Sequence, residues 1–219
     1  MKLEQFIYEI RALLPKDWLD VDDRHIIKWI NEQRAIWLKN EFNNGRLMDD
    51  RLKQSFPLEV TLVNGSEVSG VKANSVLLKT KYEIPNVIIK HYSDTISSIH
   101  SPSLLGEKFN YVLKDDAIYS GNGKLNSRDI FCFKYNKYIY IKCQKSNPKI
   151  KIIRDIIIEG VFEDPIEVER EYINRGKNID IMKIEYPISE AIWVYMKAQI
   201  LKNGLILKEA EDVEKREGN

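Results

Sequence analysis

The sequence predicts an α+β fold: a small helical bundle built from both chain ends, a β-rich insertion of sandwich or barrel type, and a C-terminal tail. Three observations carry this. Apolar residues recur at helical spacing near the start and again near the end of the chain. Between those stretches the apolar period drops to two. After Asn203-Gly204 the chain has a short apolar head and then a run of charge. The implied boundaries are 1–56 and 186–204 for the bundle, 57–185 for the insertion and 205–219 for the tail.

Leu3, Phe6, Ile7, Ile10, Leu13 and Leu14 mark one face of a first helix, which Pro15 stops. Asp20 is placed to cap a second helix, with Asp23 at its third position, and Asn43-Asn44-Gly45 is placed to end it. Its stripe reads Ile26, Ile30, Gln33 and Trp37, flanked by Trp29 and Ile36. Arg24, Lys28, Glu32 and Arg34 fall on the exposed or half-exposed side. So wide an apolar band needs cover from other helices or from neighbouring copies of the chain.

Leu58, Val60 and Leu62 alternate with Glu59, Thr61 and Val63, and Asn64-Gly65 then suits a two-residue type I′ turn. Val76–Leu78 and Val87–Ile89 are short strands by composition; Ile96–His100 and Ala117–Tyr119 are weaker ones. The clearest hairpin runs from Ile130 to Cys143. With Asn136-Lys137 as its turn, Tyr135 faces Tyr138, Phe133 faces Tyr140 and Cys132 faces Ile141. Phe131, Phe133, Tyr135, Tyr138 and Tyr140 then share one face; Ile130, Cys132, Ile139, Ile141 and Cys143 share the other. Both faces are apolar, so both should be covered. Ile150–Ile158 reads as a long β-branched strand. Ser189 follows Pro187 and caps a last helix carrying Ile192, Trp193, Met196, Ile200 and Leu201.

The 219 residues are 43% hydrophobic and 31% charged, in the range of an ordinary globular chain. No apolar run reaches the roughly 18 residues of a membrane span, and acidic Glu4 interrupts the start where a secretory leader would be apolar. The net charge of +1 predicts no tight grip on nucleic acid. Charge is uneven, however. Lys134, Lys137, Lys142, Lys145, Lys149, Lys151 and Arg154 follow one another without an acid, and Glu159, Glu163, Asp164, Glu167, Glu169 and Glu171 then face only Arg170. These stretches are either two solvated faces or complementary surfaces between subunits. On the second reading Lys142, Lys145, Lys149, Glu163, Glu167 and Glu169 are the inter-subunit residues. Cys132 and Cys143 are the only cysteines and are expected to be free thiols.

No constellation predicts catalysis, a metal or a cofactor. His25, His91 and His100 do not cluster, and neither cysteine has a partner at C-x-x-C spacing. Ser120-Gly121-Asn122-Gly123-Lys124 lacks the spacing and the Gly-Lys-Ser/Thr ending of a phosphate loop. Asp115, Asp116 and Asp129 with Lys142 or Lys145 have no spacing that supports a metal-dependent nuclease. The aromatic face of the hairpin, with its lysines, has the residue types of a base-stacking platform, but a buried sheet face explains them better.

Three passages resemble the head-to-tail adaptor or ring proteins (tail tubular protein A-like) of short-tailed bacteriophages, those of crAss-like phages above all. The first is Asp-Arg-x-Ile-x-x-Trp-Ile-Asn-x-x-Arg-Ala from Asp23 to Ala35, followed by Trp37-Leu38. The second is Ile158-Glu159-Gly160-Val161-Phe162-Glu163-Asp164-Pro165, leading into Glu167-Val168. The third is the late helix Glu190–Ile200 with its charged tail. The resemblance implies a virion protein at the head–tail junction, assembled in the host cytoplasm into a ring, commonly of twelve copies; the residues offer no catalytic centre, and another virion ring or tail-hub protein is the alternative. Such a ring lies below the portal protein, joins the next tail or ring protein and extends the channel through which DNA slides without tight binding. It also implies that Leu205, Ile206 and Leu207 dock on the portal, as C-terminal segments of similar adaptors do. A cell-wall hydrolase activity described for some adaptors has no paired-carboxylate site here to carry it.

Overall fold

A computed structural model describes residues 1–14, 21–45, 49–90, 93–120 and 128–202. Helix α1 (Leu3–Leu13) and helix α2 (Asp23–Asn43) come first. Strands β1 (Gln54–Val63), β2 (Ser75–Thr80), β3 (Ile96–His100) and β4 (Asn110–Tyr111) follow. Then come helix α3 (Lys114–Tyr119) and strands β5 (Phe131–Tyr135), β6 (Tyr138–Gln144) and β7 (Asp155–Gly160). Helix α4 (Pro165–Glu167) runs into a π-helical turn, Val168–Ile173, and α5 spans 190–202. The expected α+β class holds, and the β region is barrel-like.

The seven strands form one sheet in the order β3-β7-β1-β2-β6-β5-β4. Strand β1 hands over midway: Gln54–Glu59 pair with β7, and Val60–Val63 pair with β2. That stagger is what bends a sheet toward closure. Its two ends approach each other, with Phe109 N–H donating to the Ile99 carbonyl at 2.8 Å just before β4. Gly160 sits where β7 meets β3; a β-carbon there would lie 3.0 Å from the Thr95 carbonyl oxygen and 3.2 Å from Ile96 Cα. Only a residue without a side chain fits so close an approach.

The hairpin forms as its sequence predicts. Asn136 and Lys137 both have positive φ, 48° and 64°, as a type I′ turn requires. The pairs Tyr135–Tyr138, Phe133–Tyr140 and Cys132–Ile141 are in place. Ile130, Cys132, Ile139, Ile141 and Cys143 join the main sheet core with Phe56, Leu58, Ile99, Ile156 and Ile158. Phe133 and Tyr140 pack on the opposite face with Val68, Leu77 and Ala117. Both thiols are free and buried, and burial pushes that of Cys143 up to about 11. A third cluster gathers α1, α2 and α5, and draws in Leu52, Ile88, Val161 and Ile166.

Several local expectations are corrected. Asp22, not Asp20, caps α2, its carboxylate accepting from Arg24 N–H; Asp20 lies outside the described residues. The buried stripe of α2 is Ile26, Ile30, Arg34, Leu38 and Phe42, while Gln33 and Trp37 are only half-buried. Asn64-Gly65 makes no hairpin turn: Asn64 caps a 3-10 turn over Gly65–Glu67, and Leu62 faces solvent. Ala117–Tyr119 is the end of α3, not a strand: Asp115-Asp116 in the first turn favour a helix, whose one buried residue is Ala117. Val87 and Ile89 make isolated bridges only. The long strand splits: Pro148 opens a 3-10 turn over Pro148–Lys151, and pairing begins only at Asp155. The tail from 203 onward lies outside the described residues.

Candidate functional site

Two of the three passages singled out in the sequence meet at Arg34, together with the turn that leads into the third. Arg34 was expected at or near the surface; it is fully buried instead. It occupies the fourth-residue step after Ile26 and Ile30, so the helical period itself turns it inward. Its guanidinium donates from Nε to the Pro187 carbonyl at 3.1 Å, from Nη1 to Phe162 at 2.8 Å and from Nη2 to Leu52 at 3.3 Å. Those carbonyls belong to the turn before α5, the chain after β7 and the approach to β1. A planar fork with several fixed donors is the side chain that serves three separate carbonyls at once. Burial pulls the guanidinium below its usual value, while Tyr186 and Asp164 pull it back up.

Asn31, one turn earlier, completes the joint. Its amide donates to Asp164 Oδ1 at 3.0 Å and its Oδ1 accepts from the Tyr186 hydroxyl at 2.6 Å. The same Asp164 oxygen accepts from Ile166 and Glu167 N–H, capping α4. Lys39 adds an ion pair to Glu163 at 2.8 Å. At the other end of α2, Arg11 of α1 pairs with Asp23 at 2.7 Å and donates to the Val21 carbonyl at 2.8 Å. Three of the four polar letters of the first passage, Asp23, Asn31 and Arg34, therefore fix α2 to its surroundings. Sequence reasoning missed Asn31 and Arg34. The available signal was an arginine standing at fourth-residue spacing in an otherwise apolar row.

A second buried cation lies on the barrel. Lys142, read from the sequence as an inter-subunit residue, is 1% exposed. Its amine donates to the carbonyls of Ala117, Ile118 and Ser120 at 2.8, 2.7 and 2.8 Å. These are carbonyls at the C-terminal end of α3, where a helix presents its negative dipole end. The amine thus fastens α3 over the aromatic face of the hairpin. That face is covered from within the chain, and Lys114 and Lys79 lie over the rings of Tyr135 and Tyr138 at 4.1 and 4.3 Å. The base-stacking platform is therefore not open.

The other expected interface residues are scattered. Lys149 holds Glu107 at 2.6 Å, and Lys145 is exposed. Glu167 and Glu169 are half-buried on α4 and the π-helical turn, and burial raises both carboxyls above their usual value. Glu169 accepts from the Asn174 amide at 3.2 Å. His100 and His25 stand apart and His91 lies outside the described residues, as do Leu205, Ile206, Leu207 and residues 121–127. Among the described residues, no group of three or more His, Cys, Asp or Glu side chains is placed to hold a metal ion. No helix among them is long and apolar enough to cross a membrane.

Residues 5–217 match the family described as phage tail ring protein 2, of crAss-like phages. The chain belongs to that family. As a phage tail ring protein it has a structural role in the virion, in an assembly of several copies with other virion proteins. The joint at Arg34 is then the internal frame of a ring subunit. No curated protein matches the chain.

Proposed function

We propose that this chain forms a closed homo-oligomeric ring, of twelve copies, at the head–tail junction below the portal protein. The ring extends the DNA channel and seats the next tail or ring protein, without catalysing a reaction. Membership of the ring-protein family across nearly the whole chain is the observation that carries this reading. Its geometry supports it: both buried cations, Arg34 and Lys142, are committed to carbonyls that hold elements together. The net charge of +1 suits a conduit, since a lumen that bound many phosphates would retard sliding DNA. The helical ends, 1–56 with 186–204, act as the unit nearest the portal, and 57–185 as an insertion into it. Leu205, Ile206 and Leu207 of the tail, 205–219, insert between portal subunits; repetition around the ring multiplies a weak contact.

The remaining charged candidates, Lys145, Lys149, Glu163, Glu167 and Glu169, lie near contacts between copies. Electron microscopy of the virion tail tests the assembly, and a cyclic ring of this chain directly under the portal is expected. A single copy, or a ring elsewhere in the tail, overturns the placement. Deleting 205–219 should leave a folded protein that no longer joins the portal; normal binding by the truncated chain places the docking surface elsewhere.

A further inference from the structure

Helix α5 carries apolar residues on two opposite sides. Its inward face carries Ile192, Trp193, Met196 and Ile200, all buried against α1 and α2. Its outward face carries Ala191, Val194, Tyr195 and Ala198, all exposed, with Leu201 half-buried below them and the exposed Glu190 and Lys202 at its two ends. Val194 is 61% and Tyr195 53% exposed. An apolar face of this kind on a helix is ordinarily covered. The outward side of α2 differs: Arg24, Lys28, Glu32 and Lys39 are exposed there, and Lys28 and Glu32 form a pair across one turn.

Rotation cannot hide the outward face. Glu9 of α1 accepts from Trp193 Nε1 at 2.8 Å and from Lys197 Nζ at 3.0 Å, which fixes which side of α5 turns inward. The outward residues also have a register. Ala191, Val194, Ala198 and Leu201 are spaced three, four and three apart, the repeat by which one helix packs along another. Two alanines alternate with two larger side chains, so a partner backbone has room to come close at each alanine.

We propose that this face of α5 is the surface by which each copy of the chain holds the adjacent copy in the ring. The inference rests on the ring reading above. A second copy is the occupant because the family builds rings, and a cyclic ring needs on every subunit a patch buried by its neighbour. An apolar seam whose charges, Glu190 and Lys202, lie only at its two ends suits a permanent contact between copies better than a site that opens and closes.

The test places a photoreactive benzoylphenylalanine at Val194 of the full chain and assembles it into phage particles. Irradiation should give a product of twice the 25.7 kDa chain mass, containing peptides of this chain alone. A link to another virion protein overturns the inference, and so does a product of single-chain mass, which would mean that the chain covers the face itself. Imaging the same particles separates the two failures: if a ring of this chain is present but position 194 links elsewhere, the ring reading stands and only the α5 assignment falls. In a second arm, Val194→Glu combined with Ala198→Glu should reduce incorporated ring at least tenfold while the free chain melts at an unchanged temperature. Undiminished incorporation overturns the inference.

Discussion

Arg34 and Lys142 are both cations, both buried, and both bonded to main-chain carbonyls, yet they do opposite kinds of work. Arg34 reaches carbonyls 18, 128 and 153 residues away in sequence, binding the helices to the approach to β1 and to the chain beyond β7. Lys142 reaches carbonyls 22 to 25 residues away and fastens one short helix to the strand beside it. A guanidinium suits the first task because its donors are spread in a rigid plane; an ammonium suits the second because the carbonyls at a helix end converge on one point. Removing the first should loosen the whole molecule, and removing the second only a corner of it.

The largest effect is therefore expected at Arg34. Arg34→Leu keeps an apolar side chain in the row but leaves three buried carbonyls without their donor. An unsatisfied buried group costs about 1–3 kcal/mol, so with partial relaxation the loss should be about 3–5 kcal/mol in denaturant unfolding. Arg34→Lys should recover part of this, because an ammonium cannot reach all three carbonyls together. If Arg34→Lys proves as stable as the wild type, the fork geometry is not what matters.

Lys142→Met should cost less, about 1–3 kcal/mol, and the loss should be local. Amide exchange should accelerate in Lys114–Tyr119 while α2 stays protected; equal loosening of both would erase the contrast between the two cations. Burial lowers the Lys142 pKa from the usual 10.5, with Lys72 adding to the effect. The sign follows. Between the lowered folded value and 10.5 the unfolded chain holds a proton that the folded chain has released, so stability rises with pH across that window. Below it both states are charged and the full cost of burying the ammonium is felt. The difference in stability between the wild type and Lys142→Met should therefore shift in favour of the wild type as pH rises toward 10.5.

A third prediction tests the most local element. Lys137 holds a φ of 64°, which costs a side-chain-bearing residue more than glycine. Its ion pair with Glu83, at 3.5 Å between exposed groups, contributes little. Lys137→Gly should stabilise the protein by about 0.5–1 kcal/mol in the same unfolding experiment. A loss would mean that the Glu83 contact outweighs the backbone strain.

Locality also decides what was legible in the sequence. The Ile130–Cys143 hairpin needed only alternation and a two-residue turn, and both its register and its two covered faces could be read from the residues. The amphipathic α1 and the glycine stop of α2, with Gly45 at φ 71°, were legible for the same reason. Arg34 was not: its partners lie in three distant segments, and residue type alone argues for solvent. Lys142 failed similarly, because α3 was read as a strand and so offered no carbonyls to cap. The meeting at Arg34 of the first two recognised passages with the turn before the third is a tertiary fact that no window of sequence contains.

The smallest expected effect lies in the acids nearest the joint. Glu167 and Glu169 are half-buried, and desolvation by burial raises both; Asp164 adds to the rise at Glu167, and a Gln54 side-chain bond offsets part of it at Glu169. Arg34 and Lys142 each have three converging carbonyl acceptors; Glu167 has like charges beside it in Asp164 and Glu171, offset only in part by Arg170 and Lys137. A carboxyl whose folded pKa exceeds its unfolded value makes folding less favourable once pH is above both, because the folded state then carries an ionised group it poorly accommodates. Glu167→Gln removes that charge at nearly the same volume. It should leave the protein at pH 7 as stable as the wild type or slightly more so. The advantage should vanish as pH falls below the usual 4.5, where Glu167 is protonated in both states. Thermal melts of the two proteins across that range measure the difference directly. Should the variant be clearly less stable at pH 7, Arg170 and Lys137 outweigh the burial and the like charges at Glu167, and the contrast between bonded cations and a poorly accommodated acid fails.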